Sequence, residues 1–345
     1  MAVEWKTRLR WHTRLNADSV EWCPVEPYRH LLVCGCYHLS NEDKEKEAGP
    51  TKQKRLGKIY LFSINHDTSA LVPIQEIDTV GVLDQKWCYH TIQDHPVLCV
   101  VNSQGFVELY RLSEGTRLEL WLKESIGTAE DILALSVDWS TNKTASDNPM
   151  LVVSDSEGAV TVLQIGDDGL KKVGTWATHG FEAWTAAFNY WNPDVFYSGG
   201  DDTLFKCYDI RVSDAAVATN KSHEAGVTCV RKHTDMEYQL LTGSYDQIVR
   251  LWDTRALKRS VTEKHVGGGI WRLKWHPYRP DTILAACMYG GFRTLQVIDE
   301  VSLSIACEYK EHESIAYGAD WMFDENSLVA TCSFYDCKLH VSEVC

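Results

Sequence analysis

The stretch from His223 to Arg255 limits what this chain can become more than any other. It opens with His223-Glu224-Ala225-Gly226-Val227, continues through Gln239-Leu240-Leu241-Thr242-Gly243-Ser244-Tyr245-Asp246, and closes on Ile248-Val249-Arg250-Leu251-Trp252-Asp253-Thr254-Arg255. A histidine, three short β-prone runs divided by turn residues, and a terminal Trp-Asp describe a small antiparallel sheet with no helix to cover it. Such a sheet hides its faces only by lying against copies of itself. The copies are present: His179, His223, His265 and His312 follow one another at intervals of 44, 42 and 47 residues.

That period and that ending are those of a WD-repeat propeller blade. The unit from His179 repeats the detail, with Tyr197-Ser198-Gly199-Gly200-Asp201-Asp202 in place of Thr242 to Asp246 and Tyr208-Asp209-Ile210-Arg211 in place of Trp252 to Arg255. Seven blades of about 45 residues use nearly the whole chain, so the fold class is all-β, a single seven-bladed WD-repeat β-propeller over 1–345. The lone β-prone run Val3 to Leu15 precedes any sheet of its own and is expected to complete the last blade from outside. In blade one, the charged stretch Asn41 to Arg55, with Gly49-Pro50, buries too little apolar surface to order itself and is expected to be a flexible insertion. A second polar excursion, Thr141 to Asn148, interrupts blade three.

The balance of 34 Lys and Arg against 48 Asp and Glu gives a net charge of −14, which disfavours a nucleic-acid surface and favours a cationic partner. The first residues carry no apolar signal core, and no run approaches the ~18 apolar residues of a membrane span. The 12 cysteines fall largely within apolar β runs such as Leu32-Val33-Cys34, so they read as reduced, buried thiols of a cytoplasmic protein. Without a CxxC pair no zinc site is expected, and no cofactor is implied.

His223, Thr242, Asp246 and Trp252 have the composition of a catalytic array, as do His179, Ser198, Asp202 and Tyr208. In a blade the same set is expected to be a buried hydrogen-bond chain that satisfies polar groups where loops meet. His312 and Asp336 resemble it in blade seven, with Ser342 where the Trp would be. There is no G-x-S-x-G elbow and no H-E-x-x-H, and Gly267-Gly268-Gly269 leads into a strand rather than a phosphate-binding helix.

The loops entering the inner strands and the turns between second and third strands emerge on one face of a propeller. Alignment of blades four to seven brings Trp184, Trp271 and Tyr317 to equivalent positions there, together with Tyr245, Tyr289 and Tyr335 from the turns. Thr228 takes the corresponding place in blade five. Glu182, Asp201 and Arg272 lie close by in sequence. An aromatic, acidic pocket of this kind suits a cation, through attraction of roughly 0.5–2 kcal/mol per contact.

Several phrases resemble one WD-repeat family, the diphthine methyl ester esterases of diphthamide biosynthesis, also called diphthine methyltransferases. They include Ala17-Asp18-Ser19-Val20-Glu21-Trp22-Cys23-Pro24, Phe181-Glu182-Ala183-Trp184, Lys274-Trp275-His276-Pro277, Tyr317-Gly318-Ala319-Asp320-Trp321 and Ala330-Thr331-Cys332-Ser333-Phe334-Tyr335-Asp336. The resemblance implies a hydrolase that removes a methyl ester from a modified histidine of translation elongation factor 2, a substrate that also carries a trimethylammonium group. No catalytic motif transfers with it. The residues themselves suggest a water activated by Glu182 or Asp201, with Arg272 at the oxyanion, against a rival route through Ser244 or Ser333. A different class of function is also open. Trp252-Asp253-Thr254-Arg255 resembles the W-D-x-R ending of WD-repeat substrate receptors for cullin-type ubiquitin ligases, which would make the chain a non-enzymatic adaptor.

Overall fold

The computed structural model describes residues 4–40, 54–65, 70–127, 131–212, 214–325 and 327–345. They form seven four-stranded antiparallel sheets, each adjoining the next around a closed ring. Blade one is Ala17–Trp22, Leu31–Leu39, Arg55–Asn65 and Ala70–Val80, counted from the axis outward. The inner strands of the next five blades are Val82–Trp87, Ala134–Trp139, Thr185–Phe188, Val227–Lys232 and Arg272–Trp275. Blade seven is Ala316–Trp321, Leu328–Ser333 and Lys338–Val344, and its outer strand is Trp5–His12. Trp5 pairs with Val344 and His12 with Lys338, so the N-terminal run closes the ring as its isolation implied. Trp5 also stacks on Tyr309 of blade six at 4.9 Å, which seals that blade boundary.

The strands divide by burial. Ala17–Trp22 and Val97–Asn102 are buried along their whole length, because each inner or second strand meets a neighbouring blade on both faces. Outer strands keep one edge and much of one face in water. Arg117–Ser125 reads Arg-Leu-Glu-Leu-Trp-Leu-Lys-Glu-Ser and is mostly exposed or half-buried. Apart from the N-terminal run, these outer strands give no continuous apolar signal, and the sequence reading left them unassigned.

Between blades the packing is apolar and close. Val20, Trp22, Leu32 and Cys34 of blade one meet Ala330, Cys332 and Leu339 of blade seven in one buried cluster. Gly318 stands where the two inner strands cross: a Cβ there would lie 2.7 Å from Cys332 Sγ and 2.8 Å from the Val20 nitrogen. Of the cysteines, nine are buried and none is disulfide-bonded, so most serve as small apolar filling. The insertion expected at Asn41 to Arg55 lies, over residues 41–53, outside the described residues.

The histidine arrays are internal. In blade five, Trp252 Nε1 donates to Thr242 Oγ1 at 2.8 Å and His223 Nε2 lies 2.9 Å from the same hydroxyl. Asp246 turns instead to Arg250 at 2.7 Å. Blade four has His179 between Asp202 (2.8 Å) and Ser198 (2.9 Å). In blade seven, His312 bonds Thr331 at 2.9 Å and Ser333 at 2.5 Å. Burial pushes His223 down to about 3 and His312 to about 2, reinforced by Arg250 and His340 respectively. These rings are neutral hydrogen-bonding groups at any ordinary pH.

Candidate functional site: an aromatic shelf over an ionic channel

Each inner strand begins on one face of the ring and ends on the other. On the starting face, Trp184 precedes Thr185–Phe188, Trp271 precedes Arg272–Trp275, and Tyr317 is second in Ala316–Trp321. Their rings touch in sequence: Trp184 to Trp271 at 5.8 Å between centroids, Trp271 to Tyr317 at 4.8 Å. Tyr245, from the turn of blade five, meets Trp184 at 6.2 Å and Trp271 at 6.3 Å. The row continues through two residues the sequence reading missed, Phe334 against Tyr317 at 5.0 Å and Tyr37 against Phe334 at 5.9 Å. Gly81 makes room for Tyr37, since a Cβ there would meet the Tyr37 ring at 2.3 Å. Alternation through the blade-seven turn, which aims Phe334 inward and Tyr335 outward, was the available signal.

The expected pocket has the shape of a shelf. At these separations the rings contact one another by edges and tilted faces and leave no room for a cation between them. A cation would rest on their exposed sides. Tyr335 adjoins Phe334 edge-on at 5.0 Å but is 69% exposed, at the margin of the shelf; Tyr289 is 85% exposed and, among the described residues, makes no ring contact with the row, so it does not join the expected set. Thr228 is buried and bonds the Gly243 and Ile270 carbonyls, interrupting the row of first-strand aromatics where Tyr245 fills in.

The two acids are at the shelf. Trp184 Nε1 donates to Asp201 Oδ1 at 2.9 Å, and the Asp201 amide donates to the Glu182 carbonyl at 2.9 Å. Gly226 lets them approach Tyr245: a Cβ there would lie 2.7 Å from Asp201 Oδ1 and 3.1 Å from the Tyr245 ring. Burial, then the charges of Asp201 and Glu182, push the Tyr245 phenol up to about 12, so it remains a donor.

Arg272 does not join them, a correction to the oxyanion role drawn from sequence proximity. Its side chain runs into the channel, where its guanidinium lies 3.3 Å from Asp84 Oδ1 and 3.4 Å from the Leu83 carbonyl. It passes beneath the shelf on the way, 5.5 Å from the centre of the Trp271 ring and 3.3 Å from the Trp271 carbonyl. The channel holds further pairs: Asp84 with Lys86 at 2.7 Å, Lys274 with Asp320 at 3.2 Å and with Glu21, and Arg231 with Asp138 at 3.4 Å. Asp18, on the inner strand of blade one, is buried with Oδ1 unpartnered. Burial raises its carboxyl to about 8, against Arg272 and with Asp84. Among the described residues no three His, Cys, Asp or Glu side chains gather as a metal site.

The proposed nucleophiles are shut in. Ser244 is fully buried and donates to the Ala225 carbonyl at 3.0 Å. Ser333 is fully buried between His312 and Asp336. The W-D-x-R endings are closed locally: Arg255 grips Asp253 at 2.5 Å and Arg211 grips Asp209 at 2.6 Å.

Fold and face together define a WD-repeat β-propeller with an aromatic, acidic shelf. The family model "WD domain, G-beta repeat" matches residues 215–253. A chain of the "Crystal Structure of Mitotic Checkpoint Complex" superposes with a TM-score of 0.74 at 15% identity, covering 98% of this chain and 91% of that one, a likeness of fold alone. Sequence carries the relation further. The chain is 41% identical over 330 residues to "Diphthine methyltransferase" of Homo sapiens, across 90% of this chain and 73% of that protein. It is 35% identical over 361 residues to "Diphthine methyltransferase homolog" of Dictyostelium discoideum, across 93% and 94%. The chain belongs to the diphthine methyltransferase family.

Proposed function

We propose that this chain is an enzyme of diphthamide biosynthesis, a hydrolase that removes the methyl ester of diphthine methyl ester from the modified histidine of translation elongation factor 2. The observation that carries the reading is the contact of Trp184 with Asp201 at the edge of an aromatic row. A trimethylammonium group has no N–H to donate, so its recognition rests on ring faces and nearby negative charge. Both are present on the shelf, and an oriented carboxylate stands beside them.

In the proposed reaction, water attacks the ester carbonyl carbon while Asp201 takes its proton. The oxyanion accepts from the Tyr245 hydroxyl. Collapse breaks the bond to the methoxy oxygen, which leaves as methanol with the proton returned from Asp201, and the free carboxylate remains. Glu182, fixed through its backbone to the Asp201 amide, adds negative potential that favours the cation. The relatives' names say methyltransferase, so the products must distinguish hydrolysis from methyl transfer. An ester-bearing elongation factor 2 substrate should release methanol with this chain and lose that release by about 100-fold on Asp201→Asn, the scale of a positioned base. Methyl-donor consumption without methanol would assign the transfer reaction instead. Undiminished hydrolysis in Asp201→Asn and Glu182→Gln would remove both carboxylates from the mechanism.

A further inference from the structure

On the face where the inner strands end, opposite the shelf, a cavity of about 320 Å³ opens between blades. It takes Tyr89 and His90 from beyond the blade-two inner strand, Asn142 and Lys143 from the polar excursion of blade three, and Trp275 through Tyr278 from blade six. Its floor is the balanced ion-pair network of Arg231, Lys274 and Asp320. Its walls are not balanced.

Two lysines line it, and among the described residues neither has a carboxylate within ion-pair distance. Lys143 Nζ lies 3.6 Å above the Trp191 ring and donates to the Thr234 carbonyl at 3.0 Å. Lys232, fully buried, donates its three N–H groups to the carbonyls of Met236 at 3.4 Å, Glu237 at 2.5 Å and Gln239 at 3.1 Å, so it adds charge but no free donor. Burial lowers the Lys232 ammonium to about 8, opposed by Glu237 and deepened by the charge of Lys143. In a chain of net charge −14, Lys143, which faces no carboxylate within ion-pair distance among the described residues, makes a local attractor for an anion, and Lys232 adds to its field. Arg29 also lines the cavity, held by Glu26 at 2.7 Å, and Asp235 is the lining acid outside the floor.

The remaining unpartnered groups have a definite pattern. Asn142 is 4% exposed, its Nδ2 donates to Asp138 at 3.0 Å, and its Oδ1 has no partner. That bond fixes the amide with an acceptor left over, one that requires an N–H or O–H from a guest. His90 Nε2 and Trp275 Nε1 are likewise buried without partners. Flat rings enclose them, Tyr89 edge-on to Phe323 at 5.3 Å and Tyr278 half exposed at the mouth.

We propose that this cavity is a binding site for a nucleoside monophosphate. A planar base carrying an amino group would donate to Asn142 Oδ1 between the aromatic walls, and the phosphate would lie toward Lys143. The volume is at the lower end of small-molecule sites, which suits one nucleoside rather than a dinucleotide. The site is independent of the aromatic shelf and of the proposed ester hydrolysis.

Titration calorimetry of the full chain at low salt, with adenosine 5′-monophosphate, adenosine and inorganic phosphate as probes, tests it. Adenosine monophosphate should saturate one site with a Kd below about 1 mM, with adenosine and phosphate each at least about tenfold weaker. Lys143→Glu and Tyr278→Ala, both outside the buried core and checked for folding by thermal melting, should each weaken it by about tenfold or more. Three results overturn the proposal: no heat from adenosine monophosphate at about 10 mM, phosphate binding as tightly as the nucleotide, or folded Lys143→Glu binding unchanged.

Discussion

The Trp184 indole donates its N–H to Asp201 at 2.9 Å and presents its ring to Trp271 at 5.8 Å. One side chain thus couples the surface that would receive a cation to the carboxylate that would activate water. Its two contributions can be separated. Trp184→Phe keeps a ring and removes the hydrogen bond, so turnover should fall about tenfold through a misoriented base while KM changes little. Trp271→Ala removes ring area without touching Asp201 and should instead raise KM by about 2- to 30-fold, the range of one cation–π contact. Steady-state kinetics on the ester substrate would show the two effects crossing. Equal losses in kcat for both variants would mean that the rings and the acid do not act separately.

Arg272 offers the opposite case, a residue near the site in sequence whose work lies in the channel. Its guanidinium lies 3.3 Å from Asp84, a carboxylate that also holds Lys86 at 2.7 Å and accepts from the Val137 amide at 3.0 Å. Because Asp84 keeps those partners, Arg272→Met should cost about 1–3 kcal/mol of unfolding free energy, the range for losing a hydrogen bond to a charged group. Chemical denaturation reads it directly. Asp201→Asn, at an exposed position, should leave the unfolding midpoint near wild type. If Arg272→Met unfolds like wild type yet loses turnover, the guanidinium belongs to the reaction after all.

The blade-five array makes a similar prediction about architecture. Thr242→Val preserves volume but leaves Trp252 Nε1 and His223 Nε2 without the hydroxyl they share. Each buried group so orphaned costs about 1–3 kcal/mol. His223 Nδ1 already has no partner, so the ring cannot compensate from its other side. A fall of about 2–4 kcal/mol in the unfolding free energy is expected, with the surviving folded fraction as active as wild type.

Which parts of the molecule could be read beforehand follows from what repeats. The His223 to Arg255 pattern recurs because every blade must pack on the next, so blade count, inner strands and the closing run Trp5–His12 were all visible. Proximity on the shelf was visible too, since Trp184, Trp271 and Tyr317 occupy equivalent positions in successive blades. Direction was not. Arg272 follows Trp271 immediately yet points into the channel to an aspartate 188 residues away in sequence, and nothing local to either residue announces the pairing. Nothing in the sequence around Asp18 sets it apart. Its environment is made by Arg272, Asp84 and Tyr317 from three other blades. The cavity on the far face was illegible for the same reason, because each of its polar loops reads alone as ordinary solvated connection.

Those buried titratable groups fix how stability should vary with pH. Burial lowers His223 to about 3, His276 to about 4, His312 to about 2 and His340 to about 4, and lowers His179 and His233 as well. As pH falls below the ~6.5 of a free imidazole, the unfolded chain takes up protons that the folded chain refuses, and stability is lost. Four carboxyls act in the reverse sense. Burial raises Asp18 to about 8 and raises Asp138, Asp155 and Asp320 as well, so above the ~3.9 of a free aspartate the folded chain keeps protons that the unfolded chain releases. Their stabilisation is present at low pH and disappears as pH rises, for Asp18 through about 8. Between about 4 and 6.5 six imidazoles outweigh four carboxyls and stability should climb; above about 6.5 the carboxyls act without that opposition and it should decline. Urea midpoints at about pH 5, 6.5 and 8 should therefore pass through a maximum near the middle value, and Asp18→Asn should flatten most of the alkaline decline. A wild-type midpoint that keeps rising to pH 8 would show that Asp18 is ionised in the folded channel, and that Arg272 is shared between two charged aspartates.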